Sequence, residues 1–223
     1  MREAVQAVQA LQARPRLRGW LHVWASAVSV AAGVVLVAVA GATRGAGVGL
    51  ATAVYALTVP LLFGTSAVYH RLTWSTRTGR AVMSRLDHSM IFVFIAGTYT
   101  PFALLAMPPR TGRIVLAVVW IGAVAGVLLK VAWISAPRGL TVPIYLGLGW
   151  VAAIVLPDLL RHGGVAALVL IAAGGVVYTL GGIVYAVRRP DPVPHVFGFH
   201  EVFHACTVVA ALCHYVAIWL VLY

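Results

Sequence analysis

The sequence predicts an all-α fold: an integral membrane bundle of seven transmembrane helices, N-terminus cytoplasmic and C-terminus outside. Three observations predict it. Of 223 residues, 62% are hydrophobic and 9% are charged, against roughly 25% charged in soluble domains, so the chain cannot cover a water-facing surface. The apolar residues fall in blocks of about 20, the length at which a helix spans the hydrocarbon core. The basic residues gather in the short gaps between those blocks, where they set orientation.

Residues 1–19 form a cytoplasmic N-terminal segment, in which Val5, Val8 and Leu11 suggest an amphipathic surface helix before Pro15. The first span, 20–42, follows Arg14, Arg16 and Arg18 and ends in Ala40-Gly41-Ala42, much as a signal peptide does. Its length and the six spans after it argue for an uncleaved helix. The remaining spans are 48–69, 87–107, 113–133, 141–160, 164–187 and 199–222. Gly45 and Gly47, Pro108-Pro109, Pro137, Gly163-Gly164 and the stretch from Pro190 to Pro194 punctuate the gaps. Residues 20–223 thus make one transmembrane domain with short connections, which place sequential helices side by side.

With the N-terminus inside, eleven arginines fall on the cytoplasmic side and four (Arg44, Arg110, Arg113 and Arg161) on the outer side. Lys130 lies within a span near its inner end and can snorkel there. The formal net charge of +11 therefore reads as topogenic, not as a nucleic-acid surface. Cys206 and Cys213 share one block about 10 Å apart along a helix, too far for a disulfide.

Ionisable residues inside spans are costly and are functional candidates. His200 and His204 stand at i and i+4 on one helical face, where both imidazoles can reach one metal ion. Ser66 and His70 repeat that spacing at the end of the second span. Asp87 stands at the start of the third span, and read alone it suits a helix N-terminus, where a carboxylate complements the macrodipole. Topology brings these together. The second span ends inside and the third and seventh begin there, so all five residues reach one leaflet at nearly one depth. Three imidazoles (His70, His200 and His204) favour zinc, and three protein ligands with an open fourth position is the layout of a catalytic site. Asp87 would act as general base, water-orienting group or support for a ligand imidazole; Ser66 would hydrogen-bond the water or a developing oxyanion.

At these residues the chain resembles the bacterial hemolysin III proteins, within the progestin and adiponectin receptor (PAQR) family. The matching stretches are Gly64-Thr-Ser-Ala-Val-Tyr-His70, Arg85-Leu-Asp-His-Ser-Met90 with Gly97-Thr-Tyr-Thr-Pro101, and Gly198-Phe-His-Glu-Val-Phe-His204. The resemblance implies seven helices with the N-terminus inside a bacterial plasma (inner) membrane. It also implies Zn2+ on His70, His200 and His204, with Asp87 and Ser66 beside its water. The wider superfamily includes alkaline ceramidases, which implies hydrolysis of a lipid amide or ester and a role in membrane lipid homeostasis. The family name implies instead a hemolytic, pore-forming protein. A third reading is a lipid sensor or receptor with structural zinc. Membrane lipids are the expected partners of each, and the oligomeric state is open.

Other residues carry structural expectations. His88 points about 100° away from Asp87. Glu201 suits a helix start at the cytoplasmic rim. His214 suits an interhelical hydrogen bond, and Asp158 with Arg161 an ion pair at an outer end. Thr98 with Pro101 suits a kink or a packing contact in the third span. His22, His162 and His195, near the interfaces, are assigned no chemistry.

Overall fold

Apolar blocks without water must satisfy every backbone N–H and C=O internally, and helices do this within one segment. The computed structural model describes residues 15–223; the amphipathic helix expected over Val5, Val8 and Leu11 lies outside the described residues. The elements are α1 (Trp20–Arg44), α2 (Ala46–Arg71), α3 (Arg77–Leu105), α4 (Pro109–Ala132) and α5 (Arg138–Gly149). A 3-10 turn (Trp150–Val155) then leads into α6 (Leu156–Val187), and α7 (Phe199–Leu222) closes the chain. Six helical stretches are long and apolar enough to cross a membrane: α1, α2, α3, α4, α7 and the run Arg138–Val187.

That run has 50 residues, roughly 75 Å if it were one straight helix, more than twice the hydrocarbon core. It is not straight. Gly164 adopts φ 78° and ψ 168°, a conformation only glycine takes readily. Beyond it the chain doubles back. Trp150 Nε1 donates to Thr179 Oγ1 at 3.0 Å, Arg138 donates to the Tyr185 carbonyl at 3.3 Å, and Gly182 faces the side chains of Val142 and Leu146.

Two boundaries differ from expectation. The third helix begins at Arg77, with the Thr76 side chain capping it by accepting from Gly79 N. Asp87 is therefore ten residues inside α3, about 15 Å from its start, and does not serve a helix N-terminus. Hydropathy marks where lipid begins, whereas the helix continues through the polar stretch before it. The fifth helix begins at Arg138 and loosens into the 3-10 turn at Trp150, before the expected end at 160. Pro157 suits the first turn of a new helix and not the interior of an old one.

Small residues set the helix spacing. A Cβ on Gly126 would fall 2.3 Å from the Phe92 ring, and one on Gly112 2.1 Å from the Ala103 carbonyl oxygen, so α3 and α4 pack closely along their length. Gly97 holds α3 against Thr58 of α2 in the same way. The outward faces carry exposed Trp24, Val28, Leu50, Ile121 and Ile154, as a lipid-facing surface requires. Pro101 sits within α3 without breaking it, and Thr98 donates to the Phe94 carbonyl at 2.8 Å. Cys206 and Cys213 are free thiols.

Candidate metal centre

α2 ends where α7 begins, and α3 passes between them. His70 lies in the last turn of α2, and His200 and His204 lie one turn apart at the start of α7. Each offers one ring nitrogen, and the three nitrogens lie within 4.8 Å of one another. His70 Nε2 and His200 Nε2 are 3.2 Å apart. His204 is buried, and its Nδ1 meets no hydrogen-bond partner among the described residues.

These residues fit a metal ion. Metal–nitrogen bonds near 2.05 Å in tetrahedral geometry put ligand nitrogens ~3.3 Å apart, which the His70–His200 pair already matches. The donor set is neutral imidazole, which suits zinc and other borderline metals.

Asp87 and Ser66 complete the cluster. Asp87 Oδ2 lies 3.8 Å from His70 Nε2, and the Ser66 side chain, one turn before His70, is hydrogen-bonded to the Asp87 carboxyl. Ser66 is buried. All five residues singled out by the sequence therefore meet at one end of the bundle. His88 turns aside, its Nδ1 2.7 Å from the Ser84 carbonyl and 3.9 Å from Asp87 Oδ2.

Three neighbours were not anticipated. His22 stacks on His204 with ring centroids 3.8 Å apart and an interplanar angle of 12°. It is buried. His22 lies in the first turn of α1 and so reaches the same end of the bundle as His204. Arg18 forms an ion pair with Glu201, and Arg16 N and Leu17 N donate to the carbonyls of His195 and Val196. Residues 15–19 thus form a strap across the entry to α7. Gly19, at φ 81°, closes the strap against His70: a Cβ there would lie 2.9 Å from His70 Cβ.

Glu201 starts α7 as expected, accepting from Gly198 N at 2.9 Å, but it is buried under Arg18 and not at an open rim. His214 Nε2 approaches the Ile171 carbonyl at 3.4 Å across to α6. Asp158 and Arg161 form no ion pair among the described residues; the Asp158 carbonyl meets His162 Nδ1 instead.

A cavity leads away from the cluster. Asp87, Ile91, Ile95, Thr98 and Phe102 line it from one face of α3, roughly 22 Å from first to last along the helix. Ser66, His200 and His204 stand at its polar end, and Met107, Leu159 and Ile171 at its apolar end.

Residues 11–215 match the family described as Haemolysin-III related. The chain is 30% identical over 136 residues to the "Hemolysin-3 homolog" of Bacillus subtilis (strain 168), covering 61% of this chain and 63% of the relative. It is 29% identical over 136 residues to "Hemolysin-3" of Bacillus cereus, covering 61% of each. The matches thus span about three-fifths of the length of these bacterial relatives. It is also 32% identical over 171 residues to the "Heptahelical transmembrane protein ADIPOR2" of Oryza sativa subsp. japonica, covering 69% of this chain and 73% of the relative. With membrane-length apolar helices throughout and a match over nearly all its length, the chain is a multi-pass membrane protein of the Haemolysin-III related family, akin to the progestin and adiponectin receptors.

Proposed function

We propose that this protein is a zinc-dependent hydrolase of a lipid amide or ester, ceramidase-like in chemistry and serving membrane lipid homeostasis. It works at the cytoplasmic end of a seven-crossing bundle in the bacterial plasma membrane. The observation that carries this reading is the joining of one polar cluster, with three convergent imidazoles and a carboxyl, to one long apolar trough. A soluble substrate has no use for the trough, and a purely structural metal has no use for an adjacent carboxyl and hydroxyl aimed into a cavity. The doubling-back at Gly164 supports counting Arg138–Val187 as two crossings, which gives seven, and the arginine distribution supports an inside N-terminus.

His70, His200 and His204 would hold the ion. When bound, zinc supplies a Lewis acid that lowers the barrier to hydrolysis. The trough takes the acyl chain and so places the scissile carbonyl at the polar end. Asp87 accepts the proton of the attacking water as its oxygen bonds to the carbonyl carbon. It then returns that proton to the amine or alcohol as the C–N or C–O bond breaks. Ser66 holds the Asp87 carboxyl in place through their hydrogen bond.

The test is turnover of a panel of ceramides and acyl esters by zinc-replete purified protein, beside Asp87→Asn. Cleavage that falls ~100-fold or more in a variant still holding its metal supports general-base catalysis. A metal-replete protein inert across the panel sinks the hydrolase reading. It leaves a lipid sensor or receptor with structural zinc. A pore is less well supported, because the lining of the cavity is predominantly apolar, Met107, Leu159 and Ile171 among it.

A further inference from the structure

A second cavity, of about 570 Å³, opens between the end of α4, the start of α5 and the end of α6. Lys130, Arg138 and Arg188 line it from three different walls, and no carboxylate lines it among the described residues. Lys130 is the decisive group. It is only 2% exposed, and among the described residues its ammonium has no hydrogen bond or ion pair; its contact is the Tyr145 ring, 6.0 Å away. A buried ammonium without a counter-charge is unfavourable, and this one faces a cavity that has room for an anion.

The surroundings favour one as well. Arg138 lies 4.3 Å over the Tyr185 ring and uses one N–H on the Tyr185 carbonyl, which fixes the guanidinium and leaves donors for a ligand. Arg188 stands exposed at the left-handed end of α6. Pro137 caps the start of α5, its carbonyl accepting from Leu140 N at 3.0 Å and Thr141 N at 3.1 Å, and the positive end of that helix faces the same space. Cations on three walls suit an anion with several oxygens in different directions. They also lie near a helix-end level, where lipid phosphates are found and where basic pockets between helices hold headgroups.

We propose that Lys130, Arg138 and Arg188 form a binding site for a phosphate-bearing anion, beside the three-histidine cluster and separate from it. His88 and Tyr185 form the partition, lining both cavities. The site does not depend on the hydrolase reading, since it needs neither a metal nor turnover.

The experiment titrates delipidated full-length protein in a neutral detergent with inorganic phosphate, with dihexanoyl phosphatidylglycerol and with phosphate-free dihexanoylglycerol, read by calorimetry and thermal unfolding. Saturable binding of a phosphate-bearing ligand, absent with dihexanoylglycerol, is expected. Losing one charge-assisted contact in Lys130→Gln weakens it roughly tenfold, and Arg188→Gln weakens it severalfold. Arg110→Gln, at the opposite end of α4, leaves it unchanged. Binding of the lipid alone assigns the site to a headgroup; equal binding of inorganic phosphate assigns it to a free anion. If Lys130→Gln does not fold, Arg188→Gln decides, because its side chain is exposed. No saturable binding of either phosphate, or variants that bind as the wild type does, would overturn the proposal.

Discussion

His22 and His204 lie face to face, ring centroids 3.8 Å apart, although they come from the first and last helices of the chain. The stack packs a ring from α1 against one candidate metal ligand. A stacked aromatic pair contributes about 0.5–1.5 kcal/mol beyond its burial, so His22→Leu is expected to weaken metal binding by roughly twofold to tenfold. His22→Phe, which keeps a ring, stays close to wild type. Competition with a chromophoric chelator measures both, and equal affinity in His22→Leu would show the stack to be incidental.

Metal binding to the folded state alone raises stability by mass action. Stripping the protein with a chelator is expected to lower its unfolding temperature, and stoichiometric zinc to restore it. His70→Ala, His200→Ala and His204→Ala should each unfold at one temperature whether or not zinc is present. A thermal scan with elemental analysis checks this, and a zinc response that survives all three substitutions would place the ion elsewhere.

The Arg18–Glu201 ion pair ties the strap to the first turn of α7. Glu201 also accepts from Gly198 N, so Glu201→Ala removes two contacts of a buried carboxylate and is expected to cost about 2–4 kcal/mol. Arg18→Ala leaves the Glu201 carboxylate buried without its counter-charge and is expected to cost a similar amount. A double-mutant cycle by chemical denaturation should return a coupling above about 0.5 kcal/mol; additive losses would mean that the two side chains act independently.

Gly19 and Gly47 make a matched pair. At Gly19 the backbone is left-handed and a Cβ would press on His70, whereas a Cβ on Gly47 meets nothing within 4 Å. Gly19→Ala is expected to destabilise by roughly 1–2 kcal/mol and to weaken metal binding by displacing His70. Gly47→Ala, in the first turn of α2, should be neutral or stabilise by up to about 1 kcal/mol. Unfolding midpoints and metal affinity together separate a backbone effect from one transmitted to the ligand.

The three-histidine cluster is legible in the sequence because its residues are rare in lipid and topology brings them to one end of the bundle. Gly164 was readable too, since Gly163-Gly164 interrupts an apolar stretch too long for one crossing. Hydropathy could not place the start of α3, because the helix outlasts the apolar stretch and Asp87 is well inside it. The Arg18–Glu201 pair joins residues 183 apart, and nothing local in either segment announces the other. His22 fell between these cases: it lies at the same end of the bundle, but a lone histidine has no spacing partner to draw attention to it.

Sequence distance also orders the birth of the site. His70 and His200 are 130 residues apart, and Glu201, which locks the strap, follows them in the last helix to leave the ribosome. Until that helix enters the bilayer, His22, His70 and Asp87 lack the two imidazoles that α7 brings. A chain arrested before residue 199 can hold most of its helices and none of its chemistry. Any ion shared by the three imidazoles would therefore have to arrive after α7 has joined the bundle.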